Sequence, residues 1–165
     1  MLIKQLNFNQ MAFGGPALMN ISAKSKYAVR ALVELAVRAA GEPNKPVRLP
    51  DIAAGRDIPL QFLEQLFSAL RRAGVLRSQR GASGGYLFAR PPEQVTVLNV
   101  VEALDGLLTP ATCTQGECAH LVDCGAASVW IEAKDAVEQV LAASTIADLV
   151  EREGRLRAGS AMYYI

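Results

Sequence analysis

The most constraining stretch of the chain runs from residue 50 to residue 90. Pro50 to Gly55 predicts a short helix, and Pro59 to Ala73 predicts a second one close behind it. Pro59 suits a first helical position and Gly74 the residue just past the end. Ile52, Ile58, Leu63 and Leu66 have the spacing of a helix-turn-helix core, and Ala53 is small enough for two helix axes to approach. Asp57 occupies the turn where glycine is common. That pattern alone is weak, because any packed helix pair needs similar apolar residues. The next residues sharpen it. Val75 to Arg80 predicts a strand and Tyr86 to Ala89 its return, joined by Gly81-Ala82-Ser83-Gly84-Gly85. A basic hairpin directly after a helix-turn-helix is a winged helix. The expected fold class is therefore mostly α, a winged helix-turn-helix with a two-stranded β wing and a long C-terminal helix.

The flanking segments fit that frame. Residues 20–106 form the predicted winged-helix domain. Its first helix runs from Ser22, a candidate N-cap, to Ala40, with Tyr27, Ala28, Ala31, Leu32, Leu35, Ala36 and Ala39 on one face. A further helix spans Val97 to Asp105 and ends at Gly106. Residues 107–127 form a cysteine loop, and 128–153 carry a long helix and a short final one. The long helix, Ser128 to Ala143, places Trp130, Ala133, Val137, Val140, Leu141 and Ser144 on one stripe, read as an oligomer contact. Thr145 and Asp148 resemble a capping box that opens the final helix, Ile146 to Arg152. Residues 154–165 read as a frayed tail. Residues 1–19 carry one charge and a Gly-Gly-Pro break, and read as a disordered arm. Met19 is a candidate start, which would make the preceding residues an upstream extension.

Charge divides the chain in two. Between residues 20 and 90 there are twelve basic and five acidic residues, and from 91 onward four basic and eleven acidic, although the net charge of the whole is only +1. A basic half beside an acidic half suggests an anionic partner for the first alone; two solvated faces of unequal charge are the plainer alternative. No apolar run approaches the roughly 18 residues that cross a bilayer. No Gly-rich phosphate loop and no nucleophile with a plausible base is present, and the chain has one histidine, so an enzyme is not expected. The three cysteines, an odd number confined to residues 113–124, argue against a secreted disulfide scaffold and for a reducing cytoplasm.

Residues 62–106, FLEQLFSALRRAGVLRSQRGASGGYLFARPPEQVTVLNVVEALDG, closely resemble the Rrf-two family of bacterial transcriptional regulators, as does the opening MNISAKSKYAVRAL at 19–32. The cysteine loop, Trp130 and Thr-Ile-Ala-Asp-Leu at 145–149 extend the resemblance to about residue 153. The family's first residue corresponds to Met19. The resemblance implies a homodimer that binds double-stranded DNA, with the second helix of the motif in a major groove and the wing in an adjacent minor groove. Gln61, Glu64, Gln65 and Ser68 then lie on the outward face, where Gln suits adenine and Glu suits cytosine. Glu64 is either a base reader or merely solvated, and the resemblance favours reader. Arg71 and Arg72 suit phosphates, and Arg80 suits a narrow minor groove. Lys24, Lys26, Gly81, Gly84, Gly85 and Tyr86 complete the expected contact set.

The spacing Cys113-x4-Cys118-x5-Cys124 offers three thiolates to a soft metal. Structural zinc normally shows paired clips and a fourth ligand, so zinc is the poorer match. Members of the family with this pattern hold iron–sulfur clusters, which makes a cluster the expected cofactor. The chain departs from that pattern in three ways. The first spacing is four residues rather than five. The histidine that two-iron members place three residues after the third cysteine is Ala127. The carboxylate that four-iron members take from the partner's first helix is replaced by Lys26. His120, Asp123, Glu117, a water or a small thiol remain open as fourth ligand. The expected function is a regulator that binds a pseudo-palindromic operator and senses iron–sulfur status, oxidants or nitric oxide. The alternative is a thiol-switched or partner-controlled regulator of cysteine and sulfur metabolism without a metal.

Overall fold

The computed structural model describes residues 21–42, 44–81, 84–108 and 125–161. The arm, the wing-tip pair Ala82 and Ser83, the three cysteines with His120, and the last four residues lie outside them. The elements follow the order α1 (Ala23–Arg38), α2 (Leu49–Arg56), α3 (Leu60–Arg72), β1 (Leu76–Gln79), β2 (Gly85–Phe88), α4 (Val97–Asp105), α5 (Gly125–Ala142) and α6 (Ile146–Ala161), with a 3₁₀ turn at Pro92–Gln94. The two strands are antiparallel, in the register Leu76 to Phe88 and Gln79 to Gly85. This is the expected winged helix.

One core holds it together. Ala28, Ala31, Leu32 and Leu35 of α1 pack with Ile52 of α2 and with Leu63, Phe67 and Leu70 of α3. The spacing of these residues follows the helical repeat, so each helix turns one stripe inward and leaves the opposite side polar. Val75, Leu76 and Val95 carry the core to the wing root, and Val100 and Ile146 carry it to α4 and α6. Between α2 and α3, Asp57 takes the left-handed conformation (φ 52°, ψ 52°) at the turn position where glycine is common. An aspartate adopts this region more readily than most residues, so the turn closes without glycine.

The wing root has a third edge. Val47 exchanges both backbone hydrogen bonds with Tyr86, donating at 3.0 Å and accepting at 2.9 Å. A side chain on Gly85 would strike the Val47 carbonyl, so this close approach requires glycine there. Tyr86 turns its ring onto Phe67, with centroids 5.1 Å apart and planes nearly perpendicular.

Two capping boxes tie the acidic half to this core. Thr96 accepts from the Asn99 amide while Asn99 accepts from the Thr96 amide. Thr145 and Asp148 do the same at α6, as the sequence predicts. The two caps lie side by side: the Val97 amide donates to the Ser144 carbonyl, and the Ile146 amide to the Val95 carbonyl.

Helix boundaries differ from expectation in the acidic half. α5 is already helical at Gly125, three residues before the expected Ser128, in keeping with the good helix formers Ala126 and Ala127, of which Ala127 is buried. α6 continues to Ala161 where a frayed tail is expected after Gly154. The i,i+4 pairs Arg155–Glu151 and Arg157–Glu153 support the helix across that glycine.

The start of α1 is fastened by a carboxylate. Asp105, the last residue of α4, accepts from the Ser22 amide (2.9 Å), the Ser22 hydroxyl (2.6 Å) and the fully buried Ser25 hydroxyl (2.7 Å). Burial pushes its carboxyl upward, but the Ser22 and Ser25 hydrogen bonds and nearby Lys24 outweigh burial and hold it below the ordinary range. A lowered carboxylate stabilises the fold fully above its unfolded pKa of about 4, and the effect is lost as pH falls through the lower folded value. Asp105→Asn should cost about 1–3 kcal/mol at neutral pH, measured by urea melts, and the gap to wild type should narrow as the pH drops below about 4. A gap that stays constant down to the acid limit would show that the carboxylate's charge is not what fastens α1.

Candidate nucleic-acid interface

With Leu63, Leu66, Phe67 and Leu70 buried, α3 has only one face left for solvent. Gln61, Glu64 and Gln65 are exposed there and Ser68 is half-buried. Together with Arg72 they lie along one open face of the helix. The structure thus brings four polar side chains of α3 into line with one cation from its last turn. Arg72 donates to the Ser68 hydroxyl at 3.2 Å, and Arg71 donates to Ser78 of β1 at the same distance. Arg71 therefore leans towards the wing while Arg72 stays on the helix face. Both are exposed cations.

The wing carries an exposed cation of its own. Arg80 is exposed at the end of β1 and Gly81 follows it. The Gly84 amide returns to the Gly81 carbonyl at 2.9 Å, which closes the turn. Arg77 is directed elsewhere, donating to the Phe88 carbonyl and to Asn44 at the wing root. Two members of the expected contact set have structural work of their own: Gly85 admits Val47, and the Tyr86 ring is half-buried on Phe67.

Lys24 and Lys26 are exposed on the first turn of α1. Their surroundings are informative. Tyr27, the next residue, packs edge-on against Phe62 of α3 with centroids 5.7 Å apart. Phe62 is the immediate neighbour of Gln61. Ser22 and Ser25, on the same turn, hold Asp105. The start of α1 is therefore in contact both with the start of α3 and with the point where the chain departs for the cysteine loop. The sequence marks Ser22 as a cap, but it carries no local signal that Ser25 and Asp105, eighty residues apart, share a hydrogen bond. Periodicity does not single out Arg48 either. It is an exposed cation at the start of α2, held in a two-bond fork on Asp51.

Cys113, Cys118, Cys124 and His120 fall outside the described residues. Among the described residues no group of three or more His, Cys, Asp or Glu is placed to hold a metal ion. At the two positions where a fourth cluster ligand is expected from the resemblance, Ala127 is buried and apolar and Lys26 is an exposed cation. Neither supplies a ligand. The three thiols remain a suitable donor set for iron–sulfur. No helix among the described residues is long and apolar enough to cross a membrane.

Comparison with known proteins agrees with this geometry. The family described as "Rrf2: Iron-dependent Transcriptional regulator" matches residues 21–152. The HTH-type transcriptional regulator CymR of Bacillus subtilis is 34% identical over 131 residues, which span 79% of this chain and 89% of that protein. A "Putative HTH-type transcriptional regulator" of Haemophilus influenzae is 35% identical over 135 residues, spanning 81% and 88%. Among solved structures, CymR, the global cysteine regulator of B. subtilis, superposes with a TM-score of 0.67 at 34% identity, covering 81% of this chain and 98% of that one. IscR of T. potens superposes with a TM-score of 0.65, also at 34% identity, covering 82% and 88%. These relatives are regulators rather than enzymes. The chain belongs to the Rrf2 family and is a winged-helix, DNA-binding transcriptional regulator.

Proposed function

We propose that the protein works as a homodimer on a pseudo-palindromic operator, and that a three-cysteine iron–sulfur site sets its affinity. The observation that carries the DNA half of this reading is the polar face of α3, with Gln61, Glu64 and Gln65 exposed, Ser68 half-buried and Arg72 at its end, together with the exposed Arg80 just past β1. Polar side chains at the start of a helix suit base edges in a major groove, and the arginines suit phosphate and a narrow minor groove. A glutamate in such a place is repelled by phosphate, so Glu64 belongs against a base that donates, such as cytosine.

Support for the dimer comes from α5. Val129, Trp130 and Val140 are 56%, 44% and 66% exposed, an unusual density of large apolar groups on one helix. Val137 and Leu141 of the expected stripe are half-buried within this one chain. A two-fold contact through α5 would cover the open residues and pair two α3 helices for half-sites about one turn, roughly 34 Å, apart.

The sensing half rests on the cysteine spacing and on the contacts at the two ends of the loop. One end follows Asp105, which holds Ser22 and Ser25, and α1 meets α3 through Tyr27 and Phe62. The other end enters α5. A change of state in the loop therefore has short routes both to the reading helix and to the dimer contact. When bound, a cluster would supply a redox- and nitric-oxide-sensitive group; the cysteines would hold it, with the fourth ligand drawn from His120, Asp123, Glu117 or an outside group. A reducing cytoplasm keeps such thiols available. The name of the B. subtilis relative, a global cysteine regulator, makes a metal-free thiol switch in sulfur metabolism the second reading.

Three outcomes are expected. In selection from a randomised duplex pool, Glu64→Ala should change base preference, whereas Arg72→Ala should weaken all sequences alike and reduce the salt slope by about one unit. An unchanged preference removes Glu64 from the readers. Trp130→Glu with Val140→Glu should give monomers in sedimentation without unfolding, since both residues are open in the single chain; an intact dimer places the contact elsewhere. After anaerobic preparation with iron and sulfide, wild type should absorb in the visible range and any single Cys→Ser change should remove most of that absorbance. An iron-free wild type whose operator affinity still responds to peroxide would leave the thiol switch standing instead.

A further inference from the structure

A chain of charges at the base of the helix-turn-helix takes no part in the DNA face or the cysteine loop. Its centre is Arg56, in the last turn of α2, whose side chain is 9% exposed. Its Nε donates to Glu34 Oε2 on α1 at 2.9 Å. Its Nη1 and Nη2 donate to Oε1 and Oε2 of Glu153 on α6 at 2.8 and 2.9 Å. The ends of the chain are Arg38, 2.7 Å from Glu34, and Arg157, 3.3 Å from Glu153. Arg30 adds a hydrogen bond to the Arg56 carbonyl at 3.3 Å. Three helices thus meet on one guanidinium.

The surrounding backbone is shaped for this meeting. A side chain on Gly55 would meet the ends of the Glu34 and Arg38 side chains where they now lie, so the glycine leaves room for that pair against α2. Among the described side chains Glu34 is one of only two polar residues buried in the core. The Arg56–Glu153 pair is a two-bond fork, which resists rotation as well as separation. Apolar contacts between the same helices resist separation but are not directional. Direction matters here because Arg56 stands four residues before Leu60, where α3 begins. The corner between them is short and contains Asp57 in the left-handed conformation. A change in the tilt of α2 is therefore handed on to α3.

We propose that Arg56 and Glu153 are positioning residues for sequence recognition: α6, through this fork, sets the angle at which α2 and α3 meet DNA. The inference rests on the reading of α3 as the recognition helix. It makes the C-terminal helix a second point of control over the DNA face, separate from the link through Asp105. Anything that lifts α6 from α2 would loosen base reading while leaving the cationic surface, and so general attraction to DNA, in place.

The test uses the full-length protein and two duplexes of equal length, one selected from a random pool by wild type and one scrambled. Glu153→Gln replaces one acceptor of the fork by a donor, and Arg56→Lys keeps the charge but loses the fork. Both should bind the selected duplex about tenfold more weakly, a change of the size of one mispaired base contact, while affinity for the scrambled duplex stays within about twofold. Arg157→Ala, which removes only the outer pair, should match wild type on both duplexes. In the free protein, amide exchange should speed up across α2 and α3 in Glu153→Gln and stay unchanged at Leu32 to Leu35 of α1. Equal loss on both duplexes would reveal a purely structural pair and overturn the proposal, as would unchanged binding with unchanged exchange. A wild type that enriches no sequence from the pool would instead overturn the recognition-helix reading on which the proposal stands.

Discussion

The burial of one stripe of α3 against α1 governs everything else in this molecule. Leu63, Phe67 and Leu70 are fully buried against Leu32, Leu35 and Ile52. Removing a buried phenylalanine side chain costs about 3–5 kcal/mol, against a typical total stability of about 5–15 kcal/mol. Rotating α3 by even one residue would expose such a group, so the helix has a single orientation. That orientation decides which residues remain outside, Gln61, Glu64, Gln65 and Arg72 among them. The proposed DNA-reading face is thus the complement of the core, and on that reading a change to the core stripe would be felt as a change in recognition.

Polar contacts then refine what the core determines coarsely. Asp105 holds the start of α1 through two serines, and Arg56 joins α1, α2 and α6. Such groups add little net stability, because removing charge from water offsets much of the attraction between partners. Their effect is directional. Breaking one partner leaves a buried charge without compensation, which is far more costly than never having had the pair. Both clusters lie on routes from the acidic half of the chain to α3.

Much of this was legible before the structure. The helix-turn-helix core, the wing, the Ser22 cap and the Thr145–Asp148 capping box all follow from local rules of spacing and side-chain chemistry, and each is present. The outward face of α3 follows from the same periodicity. What local pattern could not show was long-range pairing. Nothing local marks Glu34 of α1 as the partner of Arg56. Tyr86 belongs to the expected DNA-contact set, and nothing local shows that its ring rests on Phe67. Gly154 reads as a helix stop because its effect is local, whereas the i,i+4 pairs that carry α6 past it act together. The stripe on α5 is apolar by sequence, but which of its residues stay open depends on how α5 lies along α4. The expected partner and the expected cofactor class came from the family resemblance, since neither follows from periodicity.

The central claim is that the α3 face and the wing engage DNA in adjacent grooves of one duplex face. Hydroxyl-radical footprinting on a duplex enriched by the wild-type protein tests it directly. The account predicts two symmetric sets of protected sugars on one face, with centres about one helical turn apart, and loss of the minor-groove protection at their edges when Arg80 is replaced by alanine. A single protected patch, or edge protection unaltered by Arg80→Ala, would contradict this arrangement.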